Sequence, residues 1–147
     1  MPNPNIRFQR TVLFIGIGLL VIKFIAWYIT RSNAILTDAL ESIVNVFAGA
    51  FALLSLIIAA RPKDKDHPYG HGKVEFLSAG LEGGFIAFAG IYMIGKAVYN
   101  FFFPIEIQNL DIGMVLIVFA GIVNFITGYY LEKRGEESNS HAMMADG

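Results

Sequence analysis

Four long apolar runs dominate the chain, and short polar segments separate them. The runs are continuous and rich in Leu, Ile, Ala, Gly and Phe, whereas transmembrane β-strands are short segments of alternating polarity. Each run can form a helix that crosses a hydrocarbon core, which takes about 20 residues. The pattern therefore predicts an all-α polytopic membrane protein with four antiparallel transmembrane helices. We expect these helices at about 11–30, 34–60, 76–103 and 111–131.

Short connections and small residues indicate how the helices pack. Consecutive helices joined by short segments are expected to be adjacent. The third run is rich in glycine, which lets helices approach closely in lipid. Its glycines are Gly80, Gly83, Gly84, Gly90 and Gly95. Residues 135–140 are expected to form a short polar hinge, and 135–147 as a whole are expected to be a linker.

Basic residues fall in alternate polar segments, which indicates the topology. Cytoplasmic segments carry an excess of Lys and Arg, so both termini and the middle loop are expected on the cytoplasmic side. Lys23 and Lys96 fall inside predicted spans, and we expect their side chains to extend toward an interface. The basic residues of the cytoplasmic segments are Arg7, Arg10, Arg61, Lys63, Lys65, Lys73, Lys133 and Arg134.

Composition narrows the function classes. Of the 147 residues 55% are hydrophobic and 16% are charged, which agrees with a membrane location. The 11 basic and 12 acidic residues nearly balance, so we expect no nucleic-acid partner. Cysteine is absent, so any metal would meet oxygen and imidazole ligands.

The second run contains polar residues that a bilayer tolerates poorly. Asp38, Glu41 and Asn45 are spaced by three and then four residues, so they share one helical face. Burying carboxylates in a bilayer costs several kcal/mol unless they are protonated, paired or bound to a ligand. A divalent cation with oxygen ligands would compensate for that cost. The alternative is a polar seam that hydrogen-bonds a neighbouring helix.

The middle loop holds a second candidate site, and the third run holds a further carboxylate. Asp64, His67 and His71 combine carboxylate and imidazole, which suits zinc or a similar ion, with water, Asp66 or a partner chain as fourth ligand. The alternative is that these residues only organise the loop. Glu82, inside the third helix, is a candidate for helix pairing or proton handling.

Two segments carry a family resemblance. The strings LTDALESIVN at 36–45 and DKDHPYGHGKVE at 64–75 resemble the second helix, first cytoplasmic loop and third-helix start of the cation diffusion facilitator family. The resemblance implies efflux of zinc or a related divalent metal, usually in exchange for protons, by a homodimer. The metal is the substrate, and no organic cofactor is expected. We expect the bacterial inner membrane as the location, with an organelle membrane left open.

The resemblance also implies roles for the candidate residues. Glu41 and Asn45 occupy the positions where the family usually has His or Asp followed, four residues later, by Asp; these form half of a tetrahedral transport site. The Glu and Asn pair has one formal charge fewer and more hard-oxygen character, which leaves manganese, iron or cobalt open beside zinc. Asp64, His67 and His71 match an accessory metal site found in some members.

The end of the chain bears on completeness. The family usually has six helices and a cytoplasmic C-terminal domain, with an H-x3-D pair on helix five completing the transport site. Residues 140–147 resemble the approach to that helix, so His141 is not the missing ligand and the chain is expected to be an N-terminal fragment or a truncated product. We expect it to be transport-deficient alone.

Two other function classes compete with the transporter. A non-transporting membrane scaffold or dimerisation subunit with a metal-binding loop is the main alternative. A di-iron membrane enzyme needs many more ligands than the 3 histidines of this chain can offer, so we expect no enzyme activity.

Overall fold

The computed structural model describes residues 3–31, 33–63, 68–103 and 110–147, and within them every regular element is a helix. Four helices are long and apolar enough to cross a membrane, which confirms the predicted all-α, four-span architecture. A short fifth helix follows them. The helices are α1 (Pro4–Thr30), α2 (Asn33–Ala59), α3 (Lys73–Phe102), α4 (Leu110–Ser138) and α5 (His141–Asp146).

Local signals account for several helix ends. The Asn3 side chain accepts a hydrogen bond from the Asn5 amide at 3.0 Å, and Pro4 occupies the first turn of α1, where its missing N–H costs nothing. The helix ends at Arg31, whose φ of 53° is left-handed. The carboxyl end of α1 agrees with the predicted end of the first span. Its amino end lies about two turns before the predicted start.

The predicted linker at 135–147 contains helical structure. It holds the last turn of α4 and all of α5. The Ser140 side chain caps α5 by accepting a hydrogen bond from the Met143 amide at 3.5 Å. Ala142 and Met143 are fully buried, so an apolar face holds this short helix against the bundle.

The helices pack in the order α3, α2, α1, α4, with α5 between α3 and α4. At one end Arg134 lies over the Phe8 ring, 4.8 Å from its centroid, which joins the carboxyl end of α4 to the amino end of α1. The expectation that α4 packs beside α3 is therefore wrong, because α4 packs mainly on α1 and α5. A core of apolar side chains joins α2, α4 and α5: Ala52, Leu56, Leu131, Ala142 and Met143.

Close helix approach occurs at other glycines than those predicted. A Cβ added at any of the five α3 glycines would meet nothing within 4 Å in the described part of the chain. At Gly135 of α4, by contrast, a Cβ would lie 2.8 Å from the Met144 backbone nitrogen. At Gly49 of α2 it would lie 3.3 Å from the Asp146 carboxylate oxygens. Small residues therefore make room for α5 rather than for a neighbour of α3.

Candidate cation site

An ion pair joins α1 and α2 within the apolar bundle. The Lys23 ammonium donates to Asp38 Oδ1 at 3.0 Å and to Ser42 Oγ at 2.7 Å. Lys23 is 7% exposed, so the stem does not carry its charge out to an interface, and the expectation that it does so is wrong. Asp38 Oδ2 is buried and has no hydrogen-bond partner among the described residues. One of the predicted cation ligands is thus already neutralised by a lysine.

A second lysine approaches the same end of α2. The Lys96 ammonium of α3 donates a hydrogen bond to Thr37 Oγ1, next to Asp38. Lys23 and Lys96 therefore reach α2 from its two neighbours. The polar seam considered as an alternative for the α2 face exists at Asp38.

Glu41 and Asn45, the other two residues of the α2 polar face, have different surroundings from Asp38. Glu41 is half-buried, and within the described part of the chain no hydrogen bond or ion pair reaches its carboxylate. Asn45, one turn further along, is exposed and lines a partly open cavity of about 300 Å³ between the helices. The structure therefore separates Asp38, which is paired, from Asn45, which opens onto free volume.

The cavity wall carries several polar side chains among a majority of apolar residues. Each of the four spans contributes to its wall, and so does the end of α5. Its polar lining residues are Ser42, Asn45, Glu82, Asn124, Thr127 and Asp146. Carboxylate, amide and hydroxyl oxygens are the ligands that hard divalent cations prefer. The lining can therefore solvate a cation or water.

Two carboxyl groups meet at this cavity. Glu82 of α3, only 4% exposed, lies beside Asp146 of α5, close enough for the two carboxyl groups to interact. The fully buried Gln9 of α1 donates from Nε2 to Asp146 Oδ2. Burial raises the pKa of the Asp146 carboxyl, in α5 outside the four spans, and its hydrogen bonds with Glu82 and Gln9 oppose that rise only in part. Glu82 therefore faces α5, and both roles expected for it remain predictions.

The loop site lies largely outside the described residues. Asp64 and His67 belong to that undescribed stretch, so the structure does not test their joining with His71. Beside it the chain turns at Pro68 and Tyr69, and Gly70 has a φ of 89°, which favours glycine. The His71 carbonyl then accepts from the Val74 amide at 3.1 Å as α3 begins. Within the described ranges, no group of three His, Cys, Asp or Glu is placed to hold a metal ion.

Four residues of this region were not singled out in the sequence: Gln9, Ser140, Asn124 and Asp146. Asn124 and Asp146 are single polar residues in or beside apolar segments, which was the available signal. Gln9 and Ser140 have polar neighbours in the sequence and carried no such signal. The ring of His141, which the resemblance excludes as the missing ligand, lies 4.3 Å from that of Phe76.

Four candidate spans around a partly polar cavity define a polytopic α-helical membrane protein. A sequence profile of the cation efflux transmembrane domain matches residues 10–147. The chain belongs to the cation efflux family, and the resemblance to the cation diffusion facilitators is confirmed.

Curated relatives agree with this assignment. An uncharacterized transporter of Synechocystis sp. is 38% identical over 92% of this chain and 44% of its own length. Cation-efflux pumps named FieF from Salmonella arizonae and Salmonella paratyphi A are 29% and 30% identical, over 89% and 88% of this chain. The chain spans less than half the length of these relatives, 44% and 43% for the two pumps.

Proposed function

We propose that this chain forms the first four spans of a divalent-cation efflux transporter that exchanges metal for protons. Family membership supports cation efflux, and the observation that carries the site is Asn45, which opens onto the polar cavity one turn from Glu41. Zinc is the first candidate substrate. Manganese, iron and cobalt follow, because a Glu and Asn pair offers only oxygen and amide donors.

Glu41 and Asn45 are the proposed cation ligands on α2. A half-buried carboxylate without a partner in the described chain favours a cation nearby. Asp38 can join them through its unpartnered Oδ2, or fully when Lys23 withdraws. We propose Asp64, His67 and His71 as a separate cytoplasmic-loop metal site.

The proposed setting is a homodimer in the bacterial inner membrane, with the N-terminus in the cytoplasm. The contact of Arg134 with Phe8 supports the orientation, because it brings the basic ends of α1 and α4 to the same side. The dimer rests on family membership alone. A scaffold or dimerisation subunit with a metal-binding loop is the second candidate, because four packed helices can fold and dimerise without transporting a cation.

Replacing Glu41 by Gln is expected to weaken Zn²⁺ or Mn²⁺ binding by at least about tenfold, since loss of even a group that supports a ligand costs that much. The measurement is calorimetric titration of residues 1–147 in lipid nanodiscs. All proteins would carry His67→Ala and His71→Ala, which removes the loop site from the signal.

The matched control is Glu137→Gln, an exposed carboxylate near the end of α4, which should bind like its parent. Equal affinity for the Glu41 and Glu137 variants would contradict the proposed transport site and favour the scaffold.

A further inference from the structure

The Glu82 and Asp146 pair places two acidic groups side by side, and a metal site alone does not explain this arrangement. Two carboxyl groups that lie side by side, as Glu82 and Asp146 do at the cavity wall, can hydrogen-bond only when one of them carries a proton, since an ionised carboxylate only accepts. A pair that holds one proton therefore carries one negative charge. Buried carboxyl pairs share a proton because two like charges in contact repel strongly in a medium of low dielectric.

The surroundings of the pair are built to hold this arrangement. Gln9 Nε2 fixes one Asp146 oxygen, and Gly49 leaves room for the carboxylate, since a Cβ there would lie 3.3 Å from both of its oxygens. The second Glu82 oxygen, Oε2, is buried without a hydrogen-bond partner in the described chain. Glu82 also lines the cavity. An unsatisfied buried oxygen at a cavity wall is placed to meet a proton, a water or a cation.

No other side chain in the described lining can supply or take that proton. From α1 the pair meets neutral Gln9, and the polar lining of α2 and α4 is hydroxyl and amide. On α3, Glu75 accepts from Ser140 Oγ at 2.7 Å at the opposite end of α5. The Glu132 side chain of α4 is exposed.

The depth of the Glu82 and Asp146 pair in the bundle suits proton exchange with one side of the membrane. Glu82 lies nine residues into α3, about 14 Å from its first residue at 1.5 Å per residue. The α3 start is the end that follows the basic loop, and α5 runs beside it from Ser140 to Asp146. The pair is thus far enough inside to be desolvated and close enough to the proposed cytoplasmic side to equilibrate with it.

We infer that Glu82 and Asp146 form a proton-binding site of this chain, distinct from Glu41 and Asn45, whose single proton is released when a divalent cation enters the adjoining cavity. The proton goes to solvent, and the pair changes from one negative charge to two. That second charge is tolerable beside a divalent cation and costly without one. The inference deepens the proposed function and rests on it for the coupling to metal.

The test is proton release from residues 1–147 in nanodiscs, in weakly buffered solution with a pH indicator, on addition of ZnCl₂. We expect the parent chain to release about one proton more per bound cation than Glu82→Gln, because binding that requires deprotonation displaces protons. Gln is isosteric with Glu and can donate to Asp146, which preserves the helix contact. Glu137→Gln is the matched control and should release as the parent does.

An infrared measurement keeps this inference separate from the proposed function. In the parent, the infrared band of a protonated carboxyl group should persist at pH values above about 4, which is the usual carboxyl pKa. The band should disappear when the pH is raised further. It should be absent in both Glu82→Gln and Asp146→Asn. The carboxylate of Gly147 also lies at the cavity, but every variant shares it, so it cancels.

Each result has a defined meaning. If no variant binds Zn²⁺ while the band behaves as expected, the proposed metal transport fails and the proton site stands without its coupling. A band that neither pH nor Zn²⁺ alters identifies a static helix-pairing bond and overturns the inference. Equal proton release by the parent and Glu82→Gln, at equal metal binding, overturns it as well.

Discussion

Replacing Lys23 by Met is expected to destabilise the bundle by about 2 kcal/mol. Removing one partner of a fully buried ion pair costs about 3–5 kcal/mol, because the other charge is left uncompensated. The Asp38 side chain is 33% exposed, which reduces that cost. Met keeps the length and apolar stem of Lys, so the substitution leaves no cavity. The lost stability therefore measures the contribution of the Lys23 ammonium. Unfolding in graded SDS, followed by the fluorescence of the single tryptophan, Trp27 on α1, measures it.

The double variant Lys23→Met with Asp38→Asn separates the ion pair from other effects. It should recover most of the lost stability, because neither charge then remains buried. Additive losses from the two single changes would contradict the pairing. If Asp38 also binds cation, Mn²⁺ should stabilise Lys23→Met more than it stabilises the parent, since ligand binding to the native state adds stability.

The four spans were predictable because hydropathy over about 20 residues is a local property. The pairing of Asp38 with Lys23 was not predictable in this way, although the sequence contains both charged residues. Lys23 and Asp38 are 15 positions apart in different helices, and their meeting depends on the axial register and rotation of α1 against α2. Side-chain direction across a helix pair follows from packing, which no local pattern encodes. A lysine within an apolar span opposite a carboxylate was the signal, and snorkelling was the wrong interpretation of it.

Of two polar residues at the cavity, Asn45 and Asp146, the sequence likewise indicated the first but not the second. The sequence indicates Asn45 because it lies on a face with two carboxylates, and in the structure Asn45 is exposed and lines the cavity. Asp146 lay in a short polar-looking segment, where a hydropathy window detects no span. Its position depends on α5 packing against α2, α3 and α4 at once. Such a contact joins four separated parts of the chain, so only the assembled fold brings Asp146 to Glu82.

Replacing Gly135 by Leu is expected to detach α5 from the bundle. The first added atom would lie 2.8 Å from both the backbone nitrogen and Cγ of Met144, and 3.1 Å from the Met143 carbonyl carbon. Backbone atoms cannot rotate aside, so α5 must move. Overpacking of this kind costs about 1–3 kcal/mol, enough to lower hydrogen-exchange protection of α5 by about tenfold. Mass-spectrometric hydrogen exchange over residues 141–146 measures it.

Gly121→Leu is the matched control, since the same change on the same helix meets nothing within 4 Å in the described chain and should leave α5 protected. The effect should also reach the proton site, because Asp146 occupies the last residue of α5. Gly135→Leu should therefore lose the protonated-carboxyl band that Gly121→Leu retains. Unchanged α5 protection in Gly135→Leu would show that α5 does not dock against α4, and the contact between Asp146 and Glu82 would lose its support.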